Sequence, residues 1–155
     1  MQLAQLGCRL AGFRVLGVDL GTKRIGVAVC DDGHRVASPY GTVDRVNNRP
    51  VEHDELALIM QETGAELVVV GLPISLDGTL GPAGKAVLSE VKSMRKRLSV
   101  TVETHDERFT TVEAERSQRA MKMKAKKRKQ TVDQLAATVI LQSWLDSTAT
   151  TKENK

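Results

Sequence analysis

The stretch that decides the fold is FRVLGVDLGTKRIGVAVC, residues 13–30. Two short apolar runs rich in valine, residues 13–19 and 25–30, flank the turn LGTKR at residues 20–24. Such runs predict strands, and a connection of a few turn residues between two of them predicts an antiparallel hairpin. We therefore expect the sheet to begin with two antiparallel strands.

The remaining chain alternates between helical and strand patterns. Residues 66–72, ELVVVGL, form a continuous apolar run that is typical of a central strand buried on both faces. Gly64 provides a stop for the helix before it, and Thr131 with Gln134 matches a capping box at the start of the last helix. In chain order the expected elements are strands at 13–19, 25–30 and 35–43, a helix at 54–63, a strand at 66–72, a helix at 83–97, a strand at 99–104, and helices at 111–122 and from 131.

This order predicts one α/β domain. A starting hairpin followed by alternating helices and strands implies a mixed sheet, antiparallel first and then parallel, flanked by helices. A length of 155 residues suits a single domain, which we assign to residues 13–146. Residues 1–12 are expected to form a loose arm, and residues 147–155 a polar, disordered tail.

Charge is distributed unevenly along the chain. Residues 92–129 hold 13 of the 23 basic and 5 of the 19 acidic residues, a net charge of +8 against −4 for the rest. A basic segment on a mildly acidic body favours a polyanionic partner such as nucleic acid. Aromatic residues make up only 3 % of the chain, so a platform that stacks several bases is not expected, and phosphate contacts should dominate.

Composition also limits the cellular setting. No stretch approaches 18 apolar residues, and the first residues lack the pattern of a secretory signal. Cys8 and Cys30 alone make neither a zinc site nor a disulfide scaffold. We therefore expect no membrane partner and a cytoplasmic location.

Four carboxylates stand where an α/β sheet places its chemistry. Asp19 ends the first strand, and Asp106 and Glu107 follow the strand at 99–104. Asp133 begins the last helix on the face that carries its apolar residues, so its carboxylate is expected to point toward the edge of the sheet. Each acid alone could serve a turn or cap a helix, but together they would form an oxygen-only site that suits Mg²⁺ or Mn²⁺.

Two details of this site remain open from the residues alone. Strand alternation places Asp106 and Glu107 on opposite faces, and we favour Glu107 as the ligand. Lys23, Arg24 and Arg108 could contact phosphates or serve as turn charges and salt-bridge partners. The same two interpretations, a phosphate clamp or a solvated loop, apply to the basic run before Asp133, which comprises Lys122, Lys124, Lys126, Lys127, Arg128 and Lys129.

Four motifs in order carry a family resemblance. They are DLGTKRIGVAV (19–29), VVVGLPISLDGT (68–79), THDERFTTVEA (104–114) and VDQLAATVILQSWL (132–145). Together they resemble the YqgF family, also called RuvX, of pre-16S rRNA nucleases and Holliday junction resolvase-like proteins. The D-x-G-T turn alone also opens actin-like ATPases and sugar kinases, but the four motifs span nearly the whole chain.

The resemblance implies a ribonuclease H-like fold similar to that of RuvC resolvases. It implies cleavage of structured nucleic acid that depends on Mg²⁺ or Mn²⁺, with two ions expected, and most directly the processing of the 5′ end of pre-16S rRNA beside the small ribosomal subunit. Carried over by motif, the catalytic residues would be Asp19, Glu107 with Asp106 beside it, and Asp133. The metal ligands would be Asp19, Glu107 and Asp133.

Three other functions compete with this one. A resolvase that cuts four-way DNA junctions would need two active sites and hence a homodimer. A non-catalytic RNA-binding factor in ribosome assembly would need the basic segment but not the carboxylates. A phosphotransferase of the actin-like group is disfavoured, because those enzymes close two such lobes around ATP and this chain supplies only one.

Overall fold

The computed structural model describes the backbone of residues 14–108 and 125–153 and the side chains of residues 14–108 and 133–149. The arm at 1–12 and the helix predicted at 111–122 lie outside the described residues. The elements are β1 (Arg14–Leu20), β2 (Arg24–Cys30), β3 (Ala37–Asp44), α1 (Arg49–Thr63), β4 (Ala65–Leu72), α2 (Pro82–Leu98), β5 (Thr101–Asp106) and α3 (Ala125–Glu153).

The strands form one five-stranded mixed sheet in the order β3-β2-β1-β4-β5. β1 pairs antiparallel with β2, and β2 with β3, whereas β4 lies parallel to both β1 and β5. The predicted architecture, a mixed sheet that begins with antiparallel strands, continues with parallel ones and is flanked by helices, is confirmed. Because β1, β4 and β5 run in the same direction, their carboxyl ends meet at one edge of the sheet.

Helices cover both faces of the sheet and divide the core into two clusters. On one face, α1 and α2 pack Leu56, Met60, Val91 and Met94 against the strands. On the other face, α3 contributes a second set of buried side chains: Ala137, Ile140, Leu141, Trp144 and Leu145. Burial on both faces explains why β4 is a continuous apolar run rather than an alternating one.

Helix α1 begins earlier than its apolar spacing predicts. The side chain of Asn48 accepts a hydrogen bond from the Val51 amide at 3.2 Å, and Pro50 occupies the first turn, where its missing N–H is harmless. The predicted start at residue 54 is therefore wrong by five residues. The predicted end is confirmed: Gly64 adopts a left-handed conformation with φ of 74° and donates its N–H to the Met60 carbonyl.

Helix α3 is longer than predicted at both ends. It starts at Ala125 rather than near Thr131, so Thr131 and Gln134 do not form its amino-terminal cap, and it continues to Glu153 through the expected disordered tail. Asp133 consequently lies inside the helix and not in its first turn. The alanine, lysine and arginine residues at 125–130 favour helix without any apolar period, which is why the pattern missed the amino-terminal extension. Within the described ranges, no helix is long and apolar enough to span a membrane.

Glycines on β1 and β2 allow α3 to lie directly against the sheet. A Cβ atom at Gly17 would lie 2.5 Å from Leu141 Cβ and 2.8 Å from the Ala137 carbonyl oxygen. A Cβ atom at Gly26 would overlap the carbonyl oxygen of Asp133. The helix backbone therefore occupies the space that side chains would otherwise fill.

We predict that Gly26→Ala destabilises the protein by about 1–3 kcal/mol or more, because the new methyl group meets backbone that cannot rotate away. Urea denaturation monitored by circular dichroism measures the loss. Gly41→Ala on β3 is the matched control, since a Cβ atom there meets nothing within 4 Å. Equal stability of the two variants would contradict the close helix–sheet contact.

Candidate active site

Three carboxylates converge on the edge where the parallel strands end. Asp19 is the next-to-last residue of β1, Glu107 follows β5 directly, and Asp133 is supplied by α3. The Glu107 amide donates a hydrogen bond of 3.1 Å to the Leu72 carbonyl, which continues the β4–β5 pairing by one residue beyond the strand. Backbone pairing thus fixes the position from which the Glu107 side chain extends.

One glycine makes room for Glu107, and a second lies close to Asp133. A Cβ atom at Gly71 would overlap the Glu107 carboxylate, so the acid lies directly over β4. A Cβ atom at Gly21 would lie 3.9 Å from Asp133 Oδ1, which brings the Asp133 carboxylate to the turn that follows Asp19. Gly71 therefore leaves open the space that the Glu107 carboxylate enters.

Burial raises the pKa values of all three acids, and repulsion from neighbouring acids adds to this effect at Asp19 and Glu107. Burial, followed by the charge of Asp133, raises the pKa of Asp19 from 3.8 to about 6, against an opposing effect of Arg45. Burial, followed by the charges of Asp19 and Asp106, raises the pKa of Glu107 to about 7. Burial also raises the pKa of Asp133, which the charge of Arg24 partly opposes. The surroundings therefore do not compensate the negative charge that these acids carry when they are ionised.

Asp106 and Glu107 have different partners. Asp106 accepts hydrogen bonds from the Arg108 amide at 2.9 Å and from Arg108 Nε at 2.7 Å, and these contacts lower its pKa. Glu107 interacts electrostatically with Asp19 instead. Of the adjacent pair, the structure thus brings Glu107 to the other acids and commits Asp106 to an arginine.

The donor set suits a hard divalent cation, although not in a closed protein cage. Among residues 14–108 and 133–149, no group of three or more His, Cys, Asp or Glu side chains is arranged to hold one metal ion. Asp19 instead interacts with Asp133 on one side and Glu107 on the other. Mg²⁺ is commonly held by one or two carboxylates together with water and substrate phosphates, and the residues present fit that mode of binding.

The predicted phosphate-binding residues fall into two groups. Lys23 is exposed in the turn after Asp19, whereas Arg24 lies 4.0 Å from Asp133 and 3.8 Å from Asp44, and Arg108 pairs with Asp106. Lys126, Lys127, Arg128 and Lys129 belong to the first turns of α3, but their side chains lie outside the described set. Lys122 and Lys124 lie outside the described residues.

Sequence reasoning missed a buried ionic cluster behind the site. Arg45 donates hydrogen bonds to Glu52 at 2.8 Å and to Glu90 at 2.6 and 3.0 Å, and His53 lies 3.0 Å from Glu90. Glu52, His53 and Glu90 are all buried. Burial acts to raise the pKa values of Glu52 and Glu90. The hydrogen bonds from Arg45 outweigh this effect, and both pKa values are lowered. These residues come from the loop after β3 and from two helices, so no local pattern signals the cluster.

Arg45 also joins this cluster to the turn after Asp19. Its Nε donates to the Gly21 carbonyl at 3.0 Å, and its backbone amide donates to the Lys23 carbonyl at 3.0 Å. One residue therefore holds both ends of the turn. We regard Arg45 as a positioning residue for Asp19.

The sequence profile of the RuvX family, described as Holliday junction resolvase, matches residues 13–147. The chain belongs to the RuvX family. RuvX members are nucleases, and the chain is accordingly a hydrolase that acts on phosphodiester bonds of nucleic acid.

Relatives of this RuvX chain cover most of its length. A protein of Crocosphaera subtropica named "Putative pre-16S rRNA nuclease" is 42 % identical over 131 residues, covering 84 % of this chain and 91 % of the relative. A protein of the same name from Clostridium botulinum is 41 % identical over 134 residues, covering 86 % and 97 %. Among solved structures, Thermus thermophilus RuvC in complex with a Holliday junction substrate is 15 % identical with a TM-score of 0.49, covering 83 % and 91 %.

We predict that Asp19→Asn stabilises the metal-free RuvX chain increasingly as pH rises from about 4 to about 6, with a constant advantage above pH 7. The raised pKa means that the folded state favours the protonated acid, so stability present below pH 3.8 is lost as pH rises through about 6. Asparagine carries no charge at any pH, and its advantage should approach about 3 kcal/mol at most above pH 7.

Thermal unfolding in chelator over this pH range is the measurement. The control is Asp54→Asn, because the ion pair with Arg97 lowers the pKa of that carboxyl and gives the opposite sign. A pH-independent difference between Asp19→Asn and the unmodified chain would contradict the buried, repelled state of Asp19.

We predict that Arg45→Met destabilises the chain by about 3–5 kcal/mol, because two buried carboxylates lose their charged partner. Urea denaturation quantifies the loss. Arg97→Met is the matched control, since its pair with Asp54 is exposed and should contribute much less. Similar losses in both variants would show that the Arg45 cluster is no stronger than a surface pair.

Proposed function

We propose that this RuvX chain is a divalent-metal-dependent nuclease that processes the 5′ end of pre-16S rRNA in the cytoplasm, in association with the small ribosomal subunit. The convergence of Asp19, Glu107 and Asp133 at one edge of the sheet is the observation that carries the proposal. The names of its relatives at about 40 % identity support the choice of substrate.

The catalytic roles follow from the charges of the site. Asp19, Glu107 and Asp133 would hold Mg²⁺ or Mn²⁺, with two ions expected. Divalent cations bound here would supply activation of the attacking water and stabilisation of the leaving oxygen. The raised pKa values support this assignment, because acids that repel one another ionise more easily beside a cation. Asp106 would act indirectly, by holding Arg108 beside the site.

Basic residues would bind the substrate backbone. Lys23 projects from the turn beside Asp19 and is exposed, which suits a direct phosphate contact. Arg24 and Arg108 already face Asp133 and Asp106, so they would limit the negative charge near the incoming phosphates. The basic run at 122–129 would provide further contacts along the chain of phosphates.

A second candidate is the cutting of four-way DNA junctions, which the description of the RuvX family favours. Symmetric cutting requires two active sites and therefore a homodimer on the junction. Light scattering of the protein, free and bound to a junction, tests this requirement. A monomer in both states would count against junction resolution.

We predict that Asp19→Asn lowers cleavage by at least about a hundredfold, more than the loss of a residue that only supports a metal ligand. The assay uses a labelled precursor of the small-subunit rRNA 5′ end, a four-way DNA junction and a single-stranded RNA, each with Mg²⁺, Mn²⁺ or chelator. Glu66→Gln, an exposed acid at the opposite end of β4, is the matched control and should cleave normally.

The substrate panel separates the candidate functions. Cleavage of the rRNA precursor that requires both metal and Asp19 supports the proposal. Cleavage of the junction alone supports resolution. Binding without cleavage under every condition would favour the non-catalytic role in ribosome assembly and would overturn the catalytic assignment.

A further inference from the structure

Leu76 is unusually exposed for a large apolar side chain. It is 90 % exposed, whereas the other exposed large apolar side chains of the described residues range from 41 % to 58 %. Single exposed apolar residues are ordinary on protein surfaces, so exposure alone assigns no role. The local structure of Leu76 and its position relative to the carboxylates provide the further evidence.

The loop that carries Leu76 is held in a defined shape. The Gly78 amide donates to the Ser75 carbonyl at 2.8 Å, which closes a four-residue turn with Leu76 at its second position. The Ser75 amide donates to the Thr79 carbonyl at 3.0 Å, and Asp77 Oδ1 accepts from both the amide and the hydroxyl of Thr79. Turns favour polar residues and proline, so a leucine fixed at this tip is not explained by turn chemistry.

The turn lies beside the candidate active site. It follows β4 directly, and the end of β4 is bonded to the Glu107 amide through the Leu72 carbonyl. A Cβ atom at Gly78 would lie 3.7 Å from Arg108 Nη1, so the turn and Arg108 are neighbours. An apolar tip, a cation and a carboxylate thus occur together at one edge of the sheet.

We propose that Leu76 is an apolar wedge that inserts between stacked bases of structured RNA next to the cleaved phosphate. Leucine side chains are among those that proteins insert between base steps to unstack and bend a duplex. Aromatic residues are scarce in this chain, which leaves leucine to contact the apolar faces of bases. A wedge must not yield when the bases close on it, and the hydrogen-bonded turn meets that requirement. The proposal rests on the proposed function, because it takes RNA as the substrate.

Fluorescence of 2-aminopurine tests the wedge without cleavage. The probe is an RNA hairpin with a 5′ extension, labelled at successive positions flanking the cleavage site and bound to protein that carries Asp19→Asn. With Leu76 present, we expect fluorescence to rise at one position as its base is unstacked. Leu76→Ser should abolish that rise, and Leu76→Met should retain it.

Cleavage by the otherwise unmodified chain provides the second arm. Leu76→Ser should lower cleavage of the hairpin about tenfold, the size typical of losing one base-stacking contact, and leave cleavage of unpaired RNA of the same sequence unchanged. Leu58→Ser is the matched control, because Leu58 is 58 % exposed on α1. Folding should be unaffected in both variants, since both side chains are exposed.

The two arms separate failure of the wedge from failure of the proposed function. Unchanged fluorescence and unchanged cleavage with Leu76→Ser would overturn the wedge and leave the nuclease intact. Absence of cleavage by the unmodified chain would overturn the proposed function, whereas unstacking that depends on Leu76 would still support the wedge. A change in oligomeric mass with Leu76→Ser would assign the leucine to contacts between copies and would also overturn it.

Discussion

The contact between the α3 backbone and the glycine surface of the sheet is the constraint on which the site depends. Gly17 and Gly26 have no side chain where α3 crosses β1 and β2, so the helix lies against strand backbone. That depth brings the Asp133 carboxylate to the turn after Asp19. A helix held further out by even one methyl layer would separate the two acids, because protein cores transmit such displacements rather than absorb them.

The same principle operates at β4. Gly71 leaves space that the Glu107 carboxylate and Ile140 of α3 fill together. The apolar side chain of Ile140 and the carboxylate of Glu107 therefore both occupy the space that a side chain at Gly71 would fill. The packing of α3 against the sheet and the placement of the acids therefore depend on each other. A change in the buried face of α3 would alter the geometry of the carboxylates.

The sheet could be predicted from the sequence because each of its strands is encoded by residues that are close together in the chain. The hairpin at 13–30, the buried strand at 66–72 and the acids at the ends of strands follow from turn residues and apolar runs within a few positions. Strand alternation also predicted that Asp106 and Glu107 would point to opposite faces. In the structure, Asp106 pairs with Arg108, whereas Glu107 interacts with Asp19. The amino-terminal extension of α3 escaped prediction because residues 125–130 favour helix without an apolar face. Arg45 and its glutamates escaped because their pairing spans up to 45 residues of sequence.

The Arg45 cluster explains how a positive residue can support Asp19 without neutralising it. Arg45 holds the turn after Asp19 through Gly21 and Lys23, but its charge is shared with Glu52 and Glu90. Its effect on the pKa of Asp19 is accordingly smaller than the opposing effects of burial and Asp133. An unpaired arginine at the same place would neutralise the carboxylate and compete with a cation for it. Because Glu52 and Glu90 share the charge of Arg45, that residue can fix the geometry of the site, and the negative charge of Asp19 remains available to bind metal.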